Sequence, residues 1–342
     1  MELSGIRSVG DADIEGRTVF VRVDFNVPIV DGKVTDDARV RAAVPTIQAL
    51  RGRGAKVVLG SHLGRPKGGA EPRYSLMPCG ELLAGFLDAD VTLTGDCVGD
   101  GVRRVVRDAA DDAVVLLENL RFHAAEEKAD PLFAQELASL AQVYVNDAFG
   151  TAHRAHASTY TMVQFFPERQ RYAGLLIEQE LRHLSPLLHG AAHPYVGVVG
   201  GAKVSDKLAI LENLIGRMDV VLVGGAMAYT FLAAQGVAVG RSLVEADMFE
   251  QARTLLRSAE VRKTQLVLPI DHIVAGAIDA TSGQITDDAS IAADAAGFDI
   301  GPRTVELFQR HIRSAATVFW NGPLGVFERP AFSAGTFAIA NA

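Results

Sequence analysis

Short valine-rich apolar runs alternate with stretches of helical periodicity through almost the whole chain, and few folds satisfy that alternation. The runs 18–23, 56–60, 114–117, 143–145, 196–199, 220–223, 265–269 and 317–320 are mostly apolar, which predicts strands covered on both faces. Segments 38–50, 76–87, 131–140 and 304–312 carry apolar residues at helical spacing, and 331–340 reads as a last helix. Strand–helix order repeated in this way implies an α/β fold of doubly wound parallel sheets with helices on both faces. At 342 residues the chain is long enough for two such domains. The stretch from Ala173 to Leu188 has helical spacing that weakens at Ser185-Pro186, where a helix would end or kink. The alternation restarts at Tyr195. The expected organisation is therefore an N-terminal domain over 1–172, a hinge helix over 173–189 and a second Rossmann-like domain over 190–342.

Parallel sheets of this kind bind ligands beyond the carboxyl ends of their strands, so the residues after each strand are the candidates. Strand 18–23 leads to Asp24-Phe-Asn-Val-Pro28, and Arg39 opens the next helix. After the other strands come Ser61-His-Leu-Gly-Arg-Pro66, Glu118-Asn-Leu-Arg-Phe122 and Asn146-Asp-Ala-Phe-Gly-Thr-Ala-His-Arg154, with His156 just beyond. Arg39, His62, Arg65, Arg121 and Arg154 would converge on one rim. Convergent guanidinium groups match the oxygens of phosphate and carboxylate. A lone arginine is more often a weakly paired surface charge, and His62 and His156 read equally as capping residues or as ligands. Asp24 is out of place as an anion ligand; it suits a substrate hydroxyl, with Asn26 able to donate or accept.

The second half centres on Tyr195-Val-Gly-Val-Val-Gly-Gly-Ala-Lys-Val-Ser-Asp-Lys207. Gly200-Gly201 permits a sharp turn, and Leu208, Leu211, Ile215 and Met218 place a helix just past it, its N–H groups and Lys203 and Lys207 aimed at phosphate. The phosphate-loop pattern is absent. So is the dinucleotide fingerprint, because the strand 220–223 ends in Gly224-Gly225 without an acid for a ribose hydroxyl. A nicotinamide dehydrogenase is disfavoured on that ground. Residues 297–302 read as a turn, and Glu328, after the Gly322-Pro323 turn, reads either as a ribose acceptor or as a solvated carboxylate.

A net charge of −8 disfavours nucleic acid as the main partner and makes any anion site local. No apolar run reaches membrane-spanning length, and the start, Met1-Glu-Leu-Ser-Gly-Ile-Arg7, lacks an apolar leader. Cys79 and Cys97 are too few for a disulfide framework, so reduced thiols in a cytoplasmic monomer are expected.

Taken together, Val23-Asp-Phe-Asn-Val-Pro28, Ser61-His-Leu-Gly-Arg-Pro66, Glu118-Asn-Leu-Arg-Phe122, Gly200-Gly-Ala-Lys-Val-Ser-Asp-Lys207 and Trp320-Asn-Gly-Pro-Leu-Gly-Val-Phe-Glu328 resemble the phosphoglycerate kinase family, in its order, from near Ile6 onwards. The resemblance implies a two-domain glycolytic enzyme that moves a phosphoryl group reversibly from 1,3-bisphosphoglycerate to ADP, with Mg²⁺ as Mg-ADP and Mg-ATP. It implies that Asp24, Phe25, Asn26, Arg39, His62, Leu63, Gly64, Arg65, Arg121 and Arg154 hold the phosphoglycerate. Lys203, Lys207, Gly225, Gly297, Asn321, Pro323 and Glu328 would hold the nucleotide. The family pattern continues with a glycine-rich loop bearing the aspartate that ligates Mg²⁺; that residue would lie beyond Ala342, so no metal ligand is expected here. The acceptor in the reverse direction is a carboxylate, already ionised, so the step needs alignment and cations rather than a base. Arg39 and Lys203 are the expected cations, brought together by bending of the hinge helix. Two other readings stand beside this one: a silent anion-binding protein, and a phosphotransferase acting on another acyl phosphate.

Overall fold

Strand β1 (Thr18–Arg22) shows why the apolar runs lack alternation: its two faces feed different cores. Val19 and Val21 pack with Val57, Leu59, Val40, Ile47 and Leu83 on one side, whereas Phe20 packs with Val58, Val115, Val102, Phe133 and Leu137 on the other. Each fully buried Val or Phe side chain contributes roughly 1.5–3 kcal/mol, so neither face can turn to water. The computed structural model describes residues 5–342, without the side chains of Leu188 and His189; residues 1–4, the start of the stretch read for a leader, lie outside it.

The chain divides into two units, Met1–Pro186 and Leu187–Ala342. In the first, β1 is followed by a small hairpin of β2 (Ile29–Val30) and β3 (Lys33–Val34). Then come β4 (Lys56–Gly60), β5 (Val91–Leu93), β6 (Val114–Leu116), β7 (Val143–Asn146) and β8 (Arg171–Ala173). The six-stranded sheet runs β5-β6-β4-β1-β7-β8, parallel throughout. Helices Ala38–Arg51 and Met77–Leu87 cover one face, Asp100–Asp108 and Pro131–Ala138 the other. The edge strands β5 and β8 escape sequence reading because each has three residues and none or one is buried.

The second unit holds β9 (Tyr195–Val199), β10 (Val220–Val223), β11 (Gln265–Val267), β12 (His272–Ala275), β13 (Gln284–Ile285), β14 (Ala296–Ile300) and β15 (Thr317–Asn321). Strands β11-β10-β9-β15 form a parallel sheet, and β13-β12-β14 a separate antiparallel one. Both chain halves are thus mixed α/β with a parallel sheet.

Two expectations are corrected. The helix after Gly200-Gly201 does not start past the glycines but at Leu208, and ends at Leu214. Glu245 causes the delay: its carboxylate accepts from Ser205 N at 3.1 Å and Ser205 Oγ at 2.6 Å, offering that backbone an alternative to helix. Residues 297–302 are not a turn but largely strand β14. Gly297 sits within it because an added Cβ would lie 2.2 Å from the Tyr229 hydroxyl. The helix Leu175–His189 carries Pro186 in its last turn, where a proline forfeits a single backbone bond near the helix end.

Candidate active site

The carboxyl ends of β1, β4, β6 and β7 carry the first group of candidate side chains. Asp24, just past β1, accepts from Arg39 Nη1 at 3.0 Å through Oδ2, while its Oδ1 lies 3.9 Å from His62 Nδ1. Asn26 Oδ1 accepts from Gly64 N at 2.8 Å, and the Gly64 carbonyl accepts from Arg121 Nη1 at 2.7 Å. Gly64 adopts φ +61°, and a Cβ there would meet Tyr74 at 2.4 Å, so glycine is required for this turn. Phe25 and Leu63 are buried and contribute backbone: Phe25 N donates to Ser61 Oγ, and Leu63 is clasped by the buried Asn119 through both its N–H and its carbonyl. Arg65 and Arg154 are exposed, and their guanidinium groups make no hydrogen bond or ion pair among the described residues.

Electrostatics tie these groups into one cationic pocket. Burial, then the charges of Arg22, Arg121, Arg154 and His156, push His62 down to about 2, so it is neutral at any working pH. Arg22 Nη2 lies 3.3 Å from His62 Nδ1. A guanidinium only donates, so Nδ1 carries the lone pair and the ring proton sits on Nε2. Arg121, only 5% exposed, has its Nε 3.1 Å from Glu127 Oε1 but misaligned, leaving a buried N–H with no hydrogen-bond acceptor among the described residues. A neutral His donor, a guanidinium N–H without an aligned acceptor and two arginine side chains without partners form a donor set that suits an anion, beside a carboxylate able to accept hydroxyls.

Sequence reasoning misses Arg22, Ser158 and Glu126, which support this pocket from below. All three are fully buried. Arg22 Nε donates to Ser158 Oγ at 2.8 Å, and Ser158 donates to Glu126 through Oγ at 2.5 Å and through N at 2.9 Å. The available signal is an arginine inside an apolar strand, since a buried charge demands partners.

A pH prediction follows for His62. Its folded pKa lies below the unfolded value near 6.5, so the folded state binds fewer protons and stability falls as pH drops below about 6.5. At pH 5 the loss is about 2 kcal/mol. Urea unfolding of His62→Gln should lose correspondingly less than wild type between pH 7 and pH 5; identical losses would contradict the buried neutral ring.

In the second unit Gly225, Gly297, Pro323 and Glu328 line one cavity of about 560 Å³, together with Gly201, Tyr229, Arg241 and Phe298. Its walls are glycine because the ends of β9, β10 and β15 nearly touch. Gly225, at φ +68°, would place a Cβ 2.6 Å from the Gly201 backbone, and Gly200 a Cβ 2.0 Å from the Pro323 carbonyl. Lys203, Lys207 and Asn321 do not line this cavity. Lys207 Nζ donates to Asn321 Oδ1, and Lys203 is exposed on the bend that precedes the helix Leu208–Leu214. Phe298 escapes sequence reading because β14 looks like a turn, and Tyr229 and Arg241 because they reach the cavity from a helix and a loop away from the strand ends.

The family model for phosphoglycerate kinase matches residues 9–342. The chain belongs to the phosphoglycerate kinase family. It is 54% identical to phosphoglycerate kinase of Anaeromyxobacter dehalogenans strain 2CP-C over 341 residues, covering 98% of this chain and 86% of that protein. Against the enzyme of Chlorobaculum tepidum the identity is 48%, with 98% and 85% covered. Among solved structures, phosphoglycerate kinase from Coxiella burnetii superposes with a TM-score of 0.85 at 37% identity, and that from Pyrococcus horikoshii with 0.83 at 31%. Each covers 98% of this chain and 85% of its own. No helix among the described residues is long and apolar enough to cross a membrane.

Outside both half-sites, Asp96 Oδ1, Cys97 Sγ and His123 Nε2 lie within 4.8 Å of one another. They already satisfy each other: His123 Nε2 is 2.5 Å from Asp96 Oδ1, Cys97 N donates to the same oxygen, and Sγ donates to the Glu118 carbonyl at 3.0 Å. Burial, with Asp96 and Glu118, pushes the Cys97 thiol up and keeps it protonated, so this is a closed structural cluster of the kinase fold.

Proposed function

We propose that this phosphoglycerate kinase transfers a phosphoryl group reversibly between 1,3-bisphosphoglycerate and ADP, with its two half-sites divided as the strand ends divide. Residues 1–172 form the phosphoglycerate domain, 173–189 the hinge helix and 190–342 the nucleotide domain. The single observation that carries the acid-binding half is Arg121, buried with an unaligned Nε–H beside the neutral His62. In that half Asp24 accepts a substrate hydroxyl, Asn26, His62, Arg65, Arg121 and Arg154 hold phosphate and carboxylate oxygens, and the Phe25 and Leu63-Gly64 backbone shapes the floor. Gly225, Gly297, Pro323 and Glu328 cradle the nucleotide's base and ribose. Lys207 and Asn321 take its phosphates. Arg39 and Lys203 place positive charge on the migrating group.

Mg²⁺ enters as part of the substrate, a Mg-nucleotide. The buried, unpaired thiols of Cys79 and Cys97 suit a reducing cytoplasm. ATP formation from 1,3-bisphosphoglycerate and Mg-ADP, measured alongside calorimetric titration with 3-phosphoglycerate, tests the reading. Binding without turnover would favour a silent anion-binding protein. ATP formed only from another acyl phosphate would identify a different phosphotransferase.

A further inference from the structure

The glycine-lined cavity of the second unit has little polar chemistry in its walls. Leu243, Ile278, Phe298 and Val326 present apolar side chains, and among its lining residues only Tyr229, Arg241 and Glu328 carry polar ones. Arg241 and Glu328 are exposed, and Arg241 Nη2 already donates to the carbonyls of Gly276 at 2.8 Å and Asp294 at 2.5 Å. Tyr229 is the buried member of the three, only 3% exposed.

Tyr229 stands on the helix Met227–Ala234, and its ring packs with Leu232, Val239, Val274 and Ile291. It also meets the His272 ring edge-on, with 5.2 Å between centroids. That packing fixes the ring, and a phenylalanine would fill the same space. It does not explain the hydroxyl. A buried tyrosine normally finds a partner for its O–H, yet this one makes no hydrogen bond among the described residues. Nor does its oxygen belong with the enclosed side-chain atoms that lack a partner, so it is open to the cavity that its residue lines. Gly297, in the same wall, makes room for that oxygen, since a Cβ there would lie 2.2 Å from it. Burial, and then the Asp299 charge, raises the phenol's pKa, so the group keeps its proton and can both donate and accept. The fold thus clears space for a hydroxyl that nothing in the protein bonds.

An apolar cavity with one fixed, buried hydroxyl suits a heteroaromatic ring that carries a polar atom on its edge. Sugar hydroxyls are better served by the exposed carboxylate of Glu328. We propose that Tyr229 is a specificity-determining residue for the nucleotide, its hydroxyl hydrogen-bonding a nitrogen on the edge of the purine base. The proposal rests on the reading of this cavity as the base and ribose site. It goes beyond that reading by naming the one buried side chain that orients the base within otherwise apolar walls.

Tyr229→Phe removes the oxygen and keeps the ring. The thermal midpoint should be unchanged, because no bond within the protein is lost. In calorimetric titration of the full chain, the Kd for Mg-ADP should rise about tenfold, while the Kd for 3-phosphoglycerate stays as in wild type. A series of diphosphates identifies the partner atom: the 1-deaza, 3-deaza and 7-deaza analogues of ADP, and purine riboside diphosphate, which lacks the exocyclic amine. One of them should bind wild type about tenfold more weakly than ADP does, and for that analogue the Tyr229→Phe penalty should vanish. An unchanged Kd for Mg-ADP in Tyr229→Phe would overturn the proposal. So would an equal penalty across the whole series, or a penalty that disappears instead with 2′-deoxy-ADP, which would assign the hydroxyl to ribose. A wild-type chain that binds no Mg-ADP at all would sink the nucleotide reading and the proposal together, whereas equal binding by both proteins would sink the proposal alone.

Discussion

Lys203→Ala is expected to lower kcat by about 10²–10³-fold, equivalent to roughly 3–4 kcal/mol of lost transition-state stabilisation, while the KM for 3-phosphoglycerate stays within about twofold. The reason is differential binding. Phosphoryl transfer to or from an ionised carboxylate asks for no proton, so what the enzyme supplies is positive charge on oxygens whose charge shifts only during transfer. Lys203 can supply that charge because no hydrogen bond or ion pair fixes it among the described residues, the Glu245 carboxylate being a neighbouring charge and not a bonded partner. It is exposed, lies outside the wall of the nucleotide cavity, and makes no hydrogen bond or ion pair among the described residues. Lys207, by contrast, is already held by Asn321. Steady-state kinetics with both substrates varied decides it. Wild-type turnover in Lys203→Ala would remove the lysine from the reaction, and a rise in KM at constant kcat would recast it as a ground-state binding group.

Arg22→Met should destabilise the first unit by about 3–5 kcal/mol, the cost of leaving a buried carboxylate without its cationic counterpart. Arg22 is the hub of a fully buried chain running from His62 through Arg22 and Ser158 to Glu126. Methionine fills most of the volume and removes every donor. Denaturant titration measures the loss, and the double variant Arg22→Met/Glu126→Gln should recover a large part of it because the orphaned charge goes too. A loss below about 1 kcal/mol, or no recovery in the double variant, would mean that the chain of bonds holds nothing together. Loss of the Arg22 contact also frees His62 Nδ1, so surviving protein should bind 3-phosphoglycerate more weakly as its ring proton ceases to be confined to Nε2.

The valine-rich runs are legible because burial on both faces leaves a local trace, and all eight of them are strands. The residues after them are legible for the same reason: in a parallel sheet a strand's end determines where its next residues emerge. Asp24, Asn26, His62, Gly64 and Arg121 do meet, and Gly225, Gly297, Pro323 and Glu328 do share a cavity. Local inference fails for segments whose partners are distant. The helix expected past Gly201 is held back by Glu245, 40 residues from Ser205 in sequence. The segment 297–302 looks like a turn because glycine reads as a breaker, whereas Gly297 is there to admit the Tyr229 hydroxyl.

Sequence alone therefore determined the α/β architecture, the strand ends where chemistry gathers, and the family resemblance, all of which are properties of short contiguous stretches. Tertiary structure alone decided that Arg22 reaches Ser158 across 136 residues and that His62 is a neutral donor. Periodicity records how much of a side chain is buried. It carries no information on which distant groups are buried beside it, and that pairing sets protonation state and charge.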